Sequence, residues 1–394
     1  MELWKKNLCI CWVGTFATSS GLSQLAPILP LYIEHLGITD IADVEMWSGL
    51  AFGITGLMMA FFSPIWGQAA DRYGRKPMLL RASLGMALVI SAMGFVTSVH
   101  QLVGLRLLMG VISGFNSGAM TLIATQTPKN HVGWALGTLS TGMIGGSLLG
   151  PLIGGYLAEA VGMRSVFFST GILLLVAFTL TLCFVKEKMA KDQTKVLSSR
   201  EVWSLIENKK TLLAMFLTTY IMMVALFSIE PVITVYIRQL MDETTHIALI
   251  SGMVFAASGL ASMLAAPYLG KLSDRIGPQK VMLGGLIVAA ILFIPQAFVT
   301  NEWQLLVLRF LVGLATGALL PSINSLVKRI TPDKITGRIF GYNQSAQFLG
   351  MFSGSLLGGH VSAYFGLQSI FFVTSALLFF NAIWVYFYVI KQMK

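Results

Sequence analysis

Apolar residues along this chain fall in long runs, not in the strict alternation of a half-buried strand or the one-sided stripe of a surface helix. Twelve runs, at about 8–34, 47–70, 77–98, 101–126, 133–158, 163–185, 211–237, 247–270, 280–299, 303–327, 337–363 and 366–390, meet or approach membrane-spanning length. A helix needs about 20 apolar residues to cross a hydrocarbon core of roughly 30 Å. In lipid only helices and closed barrels satisfy their own backbone, and these runs lack the period-two pattern of a barrel strand. The pattern predicts an all-α membrane protein of twelve spans. The first run, Leu8 to Ile33, is too long for a cleavable signal peptide and lacks a small-residue cleavage site.

Composition agrees and adds orientation. The chain is 55% hydrophobic and 11% charged over 394 residues, against about 25% charged for a soluble domain. Of 27 Lys and Arg, Arg164 and Arg238 lie at outer span ends and Arg106 and Arg309 lie inside spans. The remaining 23 occupy the two termini and the alternate loops 71–81, 127–132, 186–210, 271–280 and 328–338. The positive-inside bias places those loops and both termini on the cytoplasmic side of the membrane. The same bias accounts for the net charge of +10 and removes any reason to invoke nucleic acid. Trp4, Lys5 and Lys6 at one end, and Trp384, Tyr386, Tyr388 and Lys391 at the other, read as interfacial anchors against membrane lipid. Cys9, Cys11 and Cys183 sit in apolar runs with no metal or disulfide spacing. No phosphate-binding glycine loop, HExxH motif or nucleophile–base pair occurs, so neither an enzyme nor an ATP-driven pump is expected, and no cofactor or metal.

The chain repeats itself. Pro27, Tyr32, Ile33 and Leu36 recur as Pro231, Tyr236, Ile237 and Leu240. Gly67, Asp71, Arg72 and Gly74 recur one register away as Gly270, Asp274, Arg275 and Gly277, and Arg106, Gly110 and Gly114 as Arg309, Gly313 and Gly317. Gly133, Gly137, Gly146, Gly150, Gly154 and Gly155 recur as Gly337, Gly341, Gly350, Gly354, Gly358 and Gly359. The expected organisation is a six-helix bundle over 1–185, a cytoplasmic linker over 186–210 with an amphipathic stretch at Val202–Ile206 lying on the headgroups, and a second six-helix bundle over 211–394. Two six-helix bundles in parallel repeat describe a secondary transporter with its site between them.

Four motifs carry a family resemblance. The stretch Gly67-Gln-Ala-Ala-Asp71-Arg72-Tyr-Gly74-Arg75-Lys76-Pro77 resembles the loop signature of the major facilitator superfamily. Gly145-Gly146-Ser-Leu-Leu-Gly150-Pro151-Leu-Ile-Gly154-Gly155 resembles the antiporter motif of its fifth helix. Leu102 to Gly114 with Arg106 is similar to the fourth-helix motif of drug/proton antiporters, with Met109 where that motif often has glutamine. Gly21 to Pro30 is similar to the first-helix motif of twelve-span drug exporters. The resemblance covers the whole chain and is strongest to bacterial multidrug and tetracycline efflux proteins. It implies the major facilitator fold, with two six-helix bundles related by a pseudo-twofold axis, and a drug/proton antiporter that works as a monomer. It also implies that the Asp71, Arg72, Arg75 and Lys76 loop, echoed by Asp274 and Arg275, gates the conformational change. The alternative for that loop is a plain positive-inside turn. The glycines of the fifth helix, spaced by four, permit close helix packing, and with Pro151 would serve as hinge and seal.

Embedded charge is the remaining signal, because an ionisable group in hydrocarbon is costly unless it is used or paired. Of 17 acids, Glu230 is the one placed well inside a span; Glu34 and Glu159 fall at span edges. Glu230 is expected to carry protons or bind a cation, the alternative being a structural partner for a cation or hydroxyl. The resemblance gives Arg106 a part in proton coupling; structurally, Arg106 could instead tie helices together. Gln24, Asn116, Asn324, Gln344 and Gln347 fall on helices that line the cavity in that superfamily, and are expected substrate contacts. The expected function is export of small amphipathic organic molecules in exchange for protons. The alternatives are a dedicated exporter of an endogenous metabolite such as a metallophore, a proton-coupled nutrient symporter, and a scramblase or passive pore.

Overall fold

The computed structural model describes residues 2–128, 131–187, 199–206, 208–241, 246–332 and 335–391, without the side chains of Asp71, Ser199 and Arg200. Regular structure among the described residues is entirely helical. The first half comprises α1 (Leu3–Ser23), α2 (Leu29–His35), α3 (Ile41–Tyr73), α4 (Arg75–Met93), α5 (Val99–Ile112), α6 (Phe115–Gln126), α7 (Val132–Ala160) and α8 (Met163–Phe184). After the short α9 (Ser199–Ser204) come α10 (Lys209–Phe227), α11 (Ile233–Leu240), α12 (Ile247–Ile276), α13 (Pro278–Phe293), α14 (Glu302–Thr316), α15 (Leu319–Arg329), α16 (Thr336–Phe365) and α17 (Ser369–Val385).

The interruptions have local causes. Pro27 has no N–H to return to Ser23, and the chain turns through 24–28 between α1 and α2. Pro231 has the same effect between α10 and α11, across 228–232. Between α5 and α6 the backbone passes through Gly114 at φ +132°, a conformation that favours glycine. The fourth span, expected as a continuous run at 101–126, is therefore two helices. The tenth, expected at 303–327, also divides, between Thr316 and Leu319, with Gly317 in a helical conformation.

Among the described residues, ten segments are by themselves long and apolar enough to cross a membrane. The other two expected spans, α1 with α2 and α16, are too polar to meet that test alone. Their polarity is turned inward: Asn7, Thr15, Thr18, Ser19, Ser20 and Gln24 are buried on the first, and Asn343, Ser355 and Ser362 on the second. Burial among helices, not lipid exposure, permits those residues.

The repeat extends to individual hydrogen bonds. Tyr32 donates its hydroxyl proton to the Met93 carbonyl at 2.8 Å, and Tyr236 donates to that of Gln296 at 2.9 Å. Gln101 accepts from the Thr97 N–H at 2.9 Å, and Gln304 from that of Thr300 at 3.0 Å. Gly74 and Gly277, both at positive φ, make the equivalent tight turns.

Three expectations need correction. Residues 71–81 are not a loop: α3 runs to Tyr73 and α4 begins at Arg75, so Gly74 alone separates them. Arg81 consequently sits inside α4, with its guanidinium 3.5 Å from the centre of the Trp66 ring and Nη2 donating to the Ser113 carbonyl at 3.2 Å. Val202 and Ile206 do not face headgroups; both are buried against the protein, and Trp203 stacks on Tyr342 of α16. Linker residues 188–198 and 207 lie outside the described residues.

One end of the bundle, here the basic end, carries the termini and the Gly74 and Gly277 turns; the other is the distal end. The halves meet where α3 packs on α16, α7 on α12 and α2 on α11. These contacts lie toward the distal end: Gly49 and Gly53 approach Ser355 and Phe352, and Gly259 approaches Leu148. At the basic end of the same four helices, Gly67, Gly270, Gly133, Gly137, Gly337 and Gly341 have no atom within 4 Å of where a Cβ would stand. Eleven residues separate Gly56, which still touches Phe348, from Gly67. The helices therefore part over about 16 Å of axial rise, and the bundle is sealed distally and open at its basic end.

Candidate functional site

Glu230 stands in the turn that breaks the seventh span, between α10 and α11. It has no hydrogen-bonding or ion-pairing partner among the described residues. Two arginines act on it electrostatically, Arg309 more strongly and Arg106 less. These two occupy equivalent places in the repeat, on α14 and α5, so one carboxyl lies in the field of a symmetric pair of cations. Their own fixings differ. Arg106 is 3% exposed, donates its Nε proton to the Ala51 carbonyl at 3.0 Å and lies 5.4 Å from the Phe52 ring centre. Its carbonyl accepts the Thr55 hydroxyl at 2.9 Å. Arg309 lies 5.6 Å from the Phe293 ring centre, and its buried Nε has no partner. The first-half counterpart of Glu230 is Ala26, so the fold itself does not call for an acid in this turn.

The expected cavity residues fall into separate groups. Asn116 donates to the Ser19 hydroxyl at 3.0 Å and leaves its Oδ1 unpaired and buried. Asn324 accepts from Asn343 at 3.4 Å, and Asn343 in turn accepts from Thr219 at 2.8 Å. Asn343, 1% exposed, is the hub of that chain, although sequence reading passed over it in favour of its neighbour Gln344. Gln344 and Gln347 contact each other one turn apart on α16, at 3.5 Å. Gln24 is 2% exposed with its Nε2 unpaired. The structure brings none of these five into hydrogen-bonding contact with Glu230.

The glycine motif has a definite geometry. Gly142, Gly146 and Gly150 on α7 face the α1 backbone at Trp12, Phe16 and Ser20, where a Cβ would collide. Gly154 faces the Gln24 carbonyl in the first-half helix break, and Gly155 faces the Ala248 carbonyl of the other half. The second half repeats this: Gly358 faces the Ser228 carbonyl in its own break, and Gly359 faces the Glu45 carbonyl across the interface. Each Gly-Gly pair therefore joins a helix break to the contact between halves. Pro151 lies beside this contact, its carbonyl against Gly252.

Three polar links complete the distal closure. Arg238 pairs with Glu34. Glu159 contacts His246 at 2.8 Å and accepts the Leu249 N–H at 2.9 Å, in the first turn of α12. Thr234 donates to the Pro27 carbonyl at 3.2 Å. Glu34 and Glu159, read from sequence only as span-edge acids, thus both reach across to the other half.

At the basic end the signature stretch surrounds the Gly74 turn between α3 and α4. The side chain of Asp71 lies outside the described residues; Arg72 rests on its neighbour Tyr73 at 5.3 Å. Asp274 and Arg275 are exposed on the last turn of α12. The first turn of α4 is held by Glu187, whose carboxylate accepts the Arg75 and Lys76 N–H groups at 2.9 and 2.8 Å. A carboxylate there meets the unpaired donors and the positive end of the helix dipole. Sequence gave no signal for this cap, because Glu187 is 111 residues from Lys76. Lys76 also donates its Nζ proton to the Leu182 carbonyl at 2.8 Å.

Comparison with known proteins places this geometry in a family. The model of the Major Facilitator Superfamily matches residues 11–255 and 233–393. A multidrug resistance protein MdtG from Citrobacter koseri is 49% identical over 97% of this chain and 94% of its own length. MdtG from Salmonella typhimurium is 47% identical over 97% of this chain and 95% of its own. Among solved structures, a bacterial homolog of the human lysosomal transporter Spinster superposes with a TM-score of 0.81 at 13% identity, over 100% of this chain and 99% of that one. The human organic anion transporter MFSD10 superposes with a TM-score of 0.71 at 16% identity, over 98% and 100%.

Proposed function

The chain belongs to the major facilitator superfamily, a transporter and not an enzyme, and from that premise we propose that it exports small amphipathic organic molecules, drugs among them, in exchange for protons. Similarity to MdtG multidrug resistance proteins along nearly the whole chain supports the export reading. The observation that carries proton exchange is Glu230, an unpaired carboxyl in a helix break with Arg309 and Arg106 within electrostatic reach.

In this reading the basic end and both termini face the cytoplasm, so the structure is open inward and closed outward. Substrate enters from the cytoplasm or inner leaflet and reaches the centre along the polar faces of α1, α6, α15 and α16, past Gln24, Asn116, Asn324, Gln344 and Gln347. Glu230 arrives protonated from the outward-open state and gives its proton to the cytoplasm as substrate binds. The bare carboxylate is then held by the two arginines while the halves rock. Outside, substrate leaves and the carboxylate is protonated again. Each proton moved down one pH unit supplies about 1.4 kcal/mol, enough for a tenfold substrate gradient. The Gly-Gly pairs seal the outer side during the inward phase, and the Asp71–Lys76 segment with Asp274 and Arg275 latches the inner side during the outward phase.

The test is dye and drug movement in vesicles of defined orientation under an imposed pH gradient. Wild type accumulates substrate against its gradient, and Glu230→Gln loses at least tenfold of that accumulation while still binding substrate. Gradient-driven accumulation by Glu230→Gln at the wild-type level removes Glu230 from the mechanism. Flux in the opposite sense would mean symport, and flux that survives an uncoupler would mean a passive pore.

A further inference from the structure

The distal closure holds one acid that neither the central site nor the solvent-exposed surface accounts for. Glu45 lies in the second turn of α3 and is 1% exposed, at the face where α3 meets α16. Its backbone carbonyl receives Gly359. Its side-chain Oε1 is buried with no hydrogen-bond partner, and the Ser362 hydroxyl of α16 is the polar group that reaches the carboxyl. The matching contact in the other interface sets Gly155 against Ala248. An alanine therefore suffices for the packing, and the acid is an addition to it.

Among the described residues no cation pairs with it. The charged group that reaches Glu45 is another acid, Asp40, the N-cap of α3. The titratable groups near this end of the elements packed on α3 are Glu34 and His35 of α2, His100 of α5, and His360 and Tyr364 of α16; Glu34 is taken up by Arg238. His35 stacks on Tyr32, His100 meets Trp47 and His360 meets Tyr364; none pairs with Glu45. α4 presents no titratable side chain there. A carboxylate sealed between helices without a counter-charge is strongly disfavoured, whereas the neutral acid is a donor that a hydroxyl oxygen accepts.

We propose that Glu45 is a proton-binding site of the distal closure, loaded as α3 and α16 come together and emptied as they part. The O–H bond forms with a proton from water on the distal side, and the same side receives it back when the interface opens. Glu45 therefore sets the pH at which the outer end opens without adding to the protons carried per cycle. The site rests on the alternating-access reading above but not on exchange at Glu230.

The experiment measures the distal opening directly. Val161 and Phe365, 69% and 78% exposed at the distal ends of α7 and α16, are replaced by spin-labelled cysteines after Cys9, Cys11 and Cys183 are changed to alanine. Interspin distances are recorded from pH 5 to 9 in nanodiscs, in the Glu230→Gln background so that the central carboxyl does not titrate. The closed-to-open ratio falls with rising pH by up to tenfold per unit, about the limit for one linked proton. Glu45→Gln holds the closed distance across the range, and Glu45→Asp, which still titrates, restores the response. An unchanged pH response in Glu45→Gln, or no response without that substitution, overturns the proposal. Substrate flux independent of a pH gradient, alongside a response abolished by Glu45→Gln, would refute proton exchange and leave this site standing.

Discussion

A single methyl group separates the packed glycines from the open ones. Gly358 faces the Ser228 carbonyl and Gly154 that of Gln24, whereas Gly67 has empty space where a Cβ would stand. Gly154→Ala and Gly358→Ala are expected to cost about 1–3 kcal/mol of packing and to cut transport at least tenfold. Gly67→Ala leaves folding and the inward-open state intact; any loss it shows is confined to the outward-open phase. Thermal unfolding in detergent and vesicle transport separate the three. At this scale the sequence was legible where a residue broke a long apolar run, as Glu230 and Arg106 do. Glu45 escaped because it precedes the apolar run beginning near residue 47, and the helix extends further than the run. Arg81 escaped because its cation leans on Trp66 inside the fold, so it looked like one more loop cation.

The helix breaks decide where the centre of the molecule lies. Pro27 and Pro231 each withhold one backbone donor, and the turns they produce present Gln24 and Glu230. Replacing Pro231 by alanine returns the donor and favours a straight α10–α11, since an interior proline costs a helix about 3 kcal/mol. The expected outcome is a more thermostable protein with transport reduced several-fold, read by the same two assays. Span ends were readable to within a few residues because hydropathy changes abruptly at the interface. The break at Gly114 was not, because a glycine in an apolar run fits a continuous helix equally well until its φ is known. At the α14–α15 break Gly317 keeps helical φ and ψ, so the residue type alone does not mark it. The Glu187 cap belongs to the same class, a long-range contact with no local trace.

At the scale of the whole molecule, the two halves share an axis and the distal closure straddles it. Glu34 and Arg238 pair with side chains 23% and 27% exposed, so the bond is screened only in part. Glu34→Arg is expected to shift the balance toward the outward-open form by roughly tenfold and to slow export. Combining it with Arg238→Glu restores at least half the rate. The distance between labels at the distal ends, with export measured in parallel, checks both statements; equal defects in the single and double variants would rule the pair out as a latch. The repeated glycines and prolines made the two related bundles visible in the sequence. Which end was closed was not visible, because a chain that alternates between two shapes encodes both.

The separation of Glu34 and Arg238, 204 residues, is the spacing of the repeat itself, so these are one position seen twice. On a twofold axis a position meets its own image. Two identical halves would set Glu against Glu or Arg against Arg there, and the contact would repel. Only a chain whose halves are fused and have diverged can place an acid opposite a base at that point. The bond is thus a signature of heterology: it tells the first half from the second, and gives each half a reason to prefer the other over a second copy of itself.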